Sequence, residues 1–565
     1  MLNVRRLYLF VAAFVGLLLF MQGGSELLRL VFLIISPDTD LGVGSDWWRE
    51  RLSLNLALVA VGAPLWVGHW IWAQRLARDR AEEGSALRAL YFLGVLGVTI
   101  VQTAGAAGEI LVDLLERLAD ESIETLASPD YLANLIIYGL VWFYHIRQRP
   151  PTHLQTGAAA TIARWYWYVV SFGSLGIVVS SLVFVIATLL KRLVGADPVS
   201  VGWWQLPVVE GVAYIIVSSI VWSYHWAAVQ RQIVDAQSPE LRSTLRKVYL
   251  YAMVGSGAAG ALLASGRILY LVLLSVLGVV QDRLEFIDNA AWVVPTALVT
   301  ATGWYYHRYH LQRDAALVAE LPRQASIRRI YAYILTTIGI SLLAFGAYGI
   351  LRLVIGILTG QADTVDLPEH YLQRQLSLYV TLLLVGLAAW VWYWRQIQHQ
   401  VASDSSGEER RSLVRRIYLY LVSSASVIAI VVAIGTLLYE ALRSILDVSS
   451  VNDFRDAMSV HVSVALIAVT FLVYHVPFLR REHRPLLGRK EKPAPEEASS
   501  TVGGAAAAAE GGSLVVTITG GDLEQARQLI QHSTLPEGTR LTFTESALSP
   551  DEVHQRLQAQ TDDKG

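Results

Sequence analysis

The sequence predicts an all-α integral membrane protein: about twelve transmembrane helices arranged as six tandem two-helix repeats, plus a small C-terminal α+β domain. Three observations carry this. A unit of roughly 80 residues recurs six times, and a repeat has to be recognised before a fold is assigned. Only 16% of the 565 residues are charged, against about 25% in an average soluble domain. The apolar excess lies in stretches such as Leu7–Leu28 and Ile162–Leu190, and about twenty apolar residues cross the roughly 30 Å hydrocarbon layer as a helix.

Each repeat opens on an Arg and an aromatic residue three positions later: Arg5/Tyr8, Arg88/Tyr91, Arg164/Trp167, Arg246/Tyr249, Arg328/Tyr331 and Arg415/Tyr418. Each closes on Trp-x-Tyr-His or a variant: Trp66/His69, Trp142/His145, Trp222/His225, Trp304/His307, Trp390/Tyr393 and Leu472/His475. The repeats divide the chain at 1–80, 81–155, 156–238, 239–320, 321–405 and 406–484. The first contributes spans near 7–28 and 52–73, and the second 89–112 and 131–146. The third contributes 165–190 and 204–226, and the fourth 248–275 and 289–307. The fifth contributes 330–356 and 376–394, and the sixth 417–438 and 457–477. The fourth span is short, so its helix has to extend in both directions or tilt. Met1–Arg6 before the first span resembles a signal peptide, but the apolar run is too long, lacks a small-residue cleavage site, and matches the start of five later units.

Residues 485–512 read as a flexible linker of Pro, Glu, Ala, Ser and Gly. Beyond it, over 513–565, Leu514, Val516 and Ile518 alternate as a strand and Asp522 caps a helix over Leu523–His532. Leu541 and Phe543 alternate again, and Ser549-Pro550 starts a second helix. A unit this small is insecure alone, so it is expected to dock on the membrane part or to self-associate; on the scaffold reading residues 513–560 are also the expected contact for a membrane or cytoplasmic protein partner.

Orientation follows from Lys and Arg, which concentrate in the loops between repeats rather than at the hairpin tips. That pattern puts both termini, and both signatures, in the cytoplasm of a cell-membrane protein. The 17 Trp and 25 Tyr fit interfacial belts in contact with the lipid bilayer. Absence of cysteine excludes disulfides and thiolate metal sites. A net charge of −2 points to no nucleic acid.

Three sets of residues are candidates for function. His69, His145, His225, His307 and His475, with Arg88 and Tyr91, form an interfacial network; helical bundles also hold cofactors between facing histidines, but Tyr393 interrupts the set, and no cofactor or metal is assigned. Eighteen residues after the opening aromatic stand Glu26, Glu109 and Arg267, a candidate charge pair between repeats, because ionisable residues in spans are functional until shown otherwise. Glu210, Asn55 and His461 share a level fourteen or fifteen residues before their closing His and define a candidate polar band. Gly255-Ser-Gly257-Ala-Ala-Gly260 matches a dinucleotide-binding pattern, but inside an apolar span it reads as small residues for close helix packing.

The repeated opening and closing signatures resemble an uncharacterised bacterial multi-span membrane family, domain of unknown function 5671, found in tandem copies. The likeness covers about residues 1–480. It implies helical membrane repeats and no known activity, substrate or cofactor. No catalytic constellation is present in the sequence. A membrane scaffold presenting a cytoplasmic domain is the leading reading, ahead of a secondary transporter or channel for a small solute and a haem- or metal-binding redox protein.

Overall fold

The computed structural model describes residues 2–35, 45–78, 84–119, 128–150, 157–195, 204–280, 283–360, 368–405, 407–446 and 451–483. The linker and the β-α-β-α unit expected over 485–565 lie outside them. Among the described residues there are fourteen helices and no strand.

The helices are α1 (Leu2–Ile35), α2 (Ser45–Leu76), α3 (Ala86–Ala119), α4 (Pro129–Gln148), α5 (Gly157–Val194), α6 (Gln205–Gln230) and α7 (Thr244–Val276). They continue with α8 (Arg283–Ala291), α9 (Val293–Leu317), α10 (Pro322–Leu358), α11 (Tyr371–Ser403), α12 (Glu408–Arg411), α13 (Leu413–Ile445) and α14 (Val451–His483). Most outrun their predicted spans by one to three turns, because hydropathy marks the apolar segment while backbone hydrogen bonding carries the helix beyond it. The eighth span, expected at 289–307, is instead broken at Trp292 between α8 and α9. Pro295 therefore sits in the first turn of α9, where a missing N–H is harmless, and Pro64 lies within α2.

Twelve long helices pair as six antiparallel hairpins: α1–α2, α3–α4, α5–α6, α7–α9, α10–α11 and α13–α14. Their substantial contacts outside the hairpin run to the hairpin next in sequence, and the first helix of each carries most of them: α1 on α4, α3 on α5 and α6, α5 on α9, α7 on α10 and α11, α10 on α14. The fold is a row, with a core made of successive neighbour interfaces.

Ten of the helices are long and apolar enough to cross a membrane, which makes this a multi-pass membrane protein. The two that fall short are α4 and α9. The first is long enough at 20 residues but is diluted by Pro129, Asp130, Asn134 and His145, and the second carries Arg308, His310, Arg313 and Asp314 over its last turns.

Small residues set the hairpin spacing. A Cβ added to Gly257 would lie 2.8 Å from the Cβ of Trp304, and one on Gly260 would lie 2.6 Å from Thr300. The glycine pattern in α7 is a helix-contact surface for α9.

Candidate functional site

Where a first helix begins and its partner ends, the opening and closing signatures meet. In five hairpins the opening tyrosine faces the closing histidine. The Oη···Nε2 distances are 3.1 Å for Tyr8–His69, 3.1 Å for Tyr91–His145, 2.8 Å for Tyr166–His225, 3.4 Å for Tyr249–His307 and 3.3 Å for Tyr418–His475. In the third hairpin the partner is Tyr166, not Trp167 at the expected slot. Arg164 is followed by four aromatics, and the one facing His225 is a residue earlier; Trp167 instead lies under the Arg149 guanidinium at 4.8 Å. In the fifth hairpin Tyr331 and Tyr393 share a hydroxyl–hydroxyl contact of 3.3 Å.

Every one of these histidines also has Nδ1 2.8–2.9 Å from the carbonyl four residues earlier, on Leu65, Val141, Val221, Gly303 or Phe471. A carbonyl only accepts, so Nδ1 carries the hydrogen, Nε2 is the acceptor and the tyrosine O–H donates. The tyrosine oxygen is then free to accept. Trp142 donates to Tyr166 at 2.8 Å and Trp390 to Tyr418 at 3.3 Å. Trp66 and Trp222 are directed at Tyr91 and Tyr249 in the same way, though outside hydrogen-bond geometry. In the second and fifth hairpins the closing Trp thus donates to the opening Tyr of the next.

His145, His225, His307 and His475 are almost fully buried, so deleting the hydroxyl strands an acceptor. Tyr91→Phe should cost about 1–3 kcal/mol of stability, the price of an unsatisfied buried polar atom. Tyr8→Phe, at a pair left half open, should cost much less. Thermal unfolding of the two variants in one detergent checks the difference.

A longer period lies over the hairpin repeat. Hairpins one, three and five carry a second tryptophan, Trp70, Trp226 and Trp394, which donates at 2.8 Å to the tyrosine before the next closing His: Tyr144, Tyr306 and Tyr474. Hairpins two, four and six open on Glu-x-x-Ser-x-x-Arg-x-x-Tyr: Glu82–Tyr91, Glu240–Tyr249 and Glu409–Tyr418, with Glu82 outside the described residues. The buried Arg88, Arg246 and Arg415 of this motif lie 5.6, 5.7 and 5.9 Å over Trp70, Trp226 and Trp394. Arg88 and Arg246 also bond the glutamine one turn beyond that Trp, Gln74 at 2.8 Å and Gln230 at 3.1 Å.

The motif glutamates take the arginine that opens the preceding hairpin. Arg164 donates to Glu240 at 2.8 Å; Arg328 and Arg329 donate to Glu409 at 2.5 and 3.0 Å. Burial opposes the Glu409 charge, but the hydrogen bonds from Arg329 and Arg328 outweigh it and hold the carboxyl below its usual range. In the second pair of hairpins Arg246 forms a two-pronged ion pair with Asp314, at 2.7 and 3.1 Å, in a fully enclosed site.

The other candidate sets do not assemble. Arg267 donates to Asn289 at 3.1 Å, Glu26 faces Arg29 at 3.4 Å and Arg51 at 3.3 Å, and Glu109 accepts from Tyr214. The expected pairing of Arg267 with Glu26 or Glu109 is therefore replaced by partners in the same or the next hairpin, because the row keeps α7 away from α1 and α3. Asn55 is buried and bonds the Arg51 carbonyl at 2.8 Å, His461 is half-buried, and Glu210 is exposed. They stand on α2, α14 and α6, three hairpins without substantial contact. An apolar cleft of about 360 Å³ lies between α5, α6 and α9 and reaches Trp222, Thr302 and His307; Asn55, His461 and Glu210 take no part in its lining.

A row of helical hairpins, each closed by a Tyr–His or Tyr–Tyr contact and stapled in pairs by buried Arg and Trp contacts, defines a multi-pass membrane protein built from tandem four-helix units. The chain belongs to the family described as a domain of unknown function, DUF5671, whose profile matches three tandem segments, residues 6–148, 164–299 and 329–468. Each segment spans two hairpins, which accounts for the alternation in the signatures. No match to the chain is found among curated proteins or solved structures.

Proposed function

We propose that the protein is a membrane scaffold: a rigid row of hairpins that presents a partner-binding segment, residues 513–560, at one membrane face. The observation that supports this best is the way the buried polar groups of the junctions are used. Each closing histidine has Nδ1 bonded to a carbonyl and Nε2 to a tyrosine, which leaves no lone pair for a metal or haem iron. These buried His and Tyr groups are committed to closing hairpins, and the buried Arg and second Trp to joining neighbouring ones, which is what a scaffold needs and a transport pathway does not.

In this reading α4 and α9 cross the membrane with the other ten. Tyr91–His145 and Tyr249–His307 bring the end of each back to the start of its apolar partner, so a hairpin whose first helix crosses must return through its second. The row then has twelve spans in six units. The Lys and Arg of the inter-repeat loops favour a cell membrane with both termini in the cytoplasm.

The test is purification in mild detergent of the full chain beside a chain ending at residue 484. Discrete protein partners held by the full chain and lost by the truncated one are the expected outcome. Partners retained equally by both, or no partner with either, would sink the scaffold reading. A transporter would instead show saturable solute uptake in vesicles, and a redox protein a visible absorption band.

A further inference from the structure

Among the described residues the two ends of the row are open, and the two open faces are halves of the same junction. Each first helix meets the next hairpin through fixed positions counted from its opening tyrosine. Nine residues on stand Leu17, Ile100, Leu175, Ala258 and Ile340, none more than 9% exposed; the sixth residue in that slot, Val427, is 47% exposed. Thirteen residues on stand Met21, Ala104, Val179, Leu262 and Ala344, all at least partly buried, and then Val431, 64% exposed. Seventeen residues on, Ser25 bonds Asn134 of the next hairpin at 2.5 Å. In the same slot a Cβ on Gly108 would lie 3.1 Å from Tyr214 and one on Gly266 would lie 3.5 Å from Val385, whereas Gly435 has nothing within 4 Å.

The receiving side shows the converse. Tyr91, Tyr166, Tyr249 and Tyr418 are 4% exposed or less and Tyr331 is partly buried; Tyr8, in the first of the six hairpins, is 58% exposed. Val61, at the position of α2 that Val385 occupies in α11, is 61% exposed. Lipid covers apolar faces anywhere on a membrane protein, but these positions are the ones that the internal junctions bury against protein.

We infer that the α13 face of one copy receives the first hairpin of a second copy of this chain, a sixth junction made between molecules. Each hairpin contains two helices, so the next copy enters the membrane in the same orientation and needs no inversion. A head-to-tail contact of this kind is heterologous and builds either a closed ring or an open row. The proposal stands on the junction geometry and is independent of what residues 513–560 bind.

The chain has no cysteine, so a disulfide can report the contact directly. Gly435→Cys and Val61→Cys reproduce the Gly266–Val385 approach, in which an added Cβ lies 3.5 Å from Val385 Cγ2, the position a cysteine Sγ can take up, so the two thiols are placed to link. Two full-length chains, each with one of these substitutions and its own tag, are co-expressed and oxidised in their membranes. The expected product carries both tags and is absent when Phe345→Cys replaces Gly435→Cys. Failure of the mixed pair to link, or equal self-linking of Val61→Cys alone, overturns the head-to-tail contact. So does a double variant that closes only within one chain. Native mass measurement of the unsubstituted protein in lipid nanodiscs gives a second reading: dimers or larger assemblies are expected, and monomers alone overturn the proposal.

Discussion

Asp314→Ala should be among the most damaging single substitutions in the described chain. Its carboxylate takes both prongs of Arg246, and the two side chains are 3% and 0% exposed. Removing one member of a buried ion pair leaves the other charge without compensation and costs about 3–5 kcal/mol. Gln230 still reaches Arg246, and the Trp226 ring still lies beneath it, so the lower part of that range is expected. The reverse experiment separates stability from specificity. Arg246→Met combined with Asp314→Leu removes both charges and should recover most of the loss, because apolar replacements of similar volume are often neutral or better. Thermal unfolding in detergent of the single and double variants decides it; a double variant as unstable as Asp314→Ala would show that Arg246 acts through something other than this pair.

The fold was legible because the membrane imposes a coarse code. Length and hydropathy located the spans, and the Arg/Tyr and Trp/His signatures located the hairpin ends. The finer period was hidden by the same regularity. Reading the repeat at the hairpin level treats Trp70, Trp226 and Trp394 as ordinary interfacial aromatics, although each stands four residues beyond the closing Trp of every other hairpin. The Glu-x-x-Ser-x-x-Arg-x-x-Tyr spacing, present three times, was the available signal that the unit is two hairpins long. That Arg267 pairs with neither Glu26 nor Glu109 was not legible, since equal height along two helices does not place them side by side. Which helices are neighbours depends on the order of the row, and Asn289, only 22 residues along the chain, was close enough to compete for Arg267.

Gly346→Ala should destabilise the fifth hairpin by at least about 2 kcal/mol, although alanine is the better helix former by roughly 0.5–1 kcal/mol. A Cβ on Gly346 would lie 2.3 Å from the backbone nitrogen of Leu383, and one on Gly386 would lie 2.3 Å from that of Leu343. Neither obstacle is a side chain that can rotate away, so α10 and α11 must separate. Separation would strain the Tyr331–Tyr393 contact and, further along, the approach of Gly339 to Trp390. Overpacking a tight contact typically costs about 1–3 kcal/mol, occasionally more, and a backbone obstacle belongs at the upper end. Gly97→Ala is the control. Nothing lies within 4 Å of its Cβ position, so the helix-propensity gain should appear undiminished and the variant should be as stable as the parent or slightly more so. Opposite signs for the same substitution, read by thermal unfolding, would assign the glycines of α10 and α11 to interhelical distance. Equal effects at both positions would mean that the hairpins tolerate a wider spacing than this close approach implies.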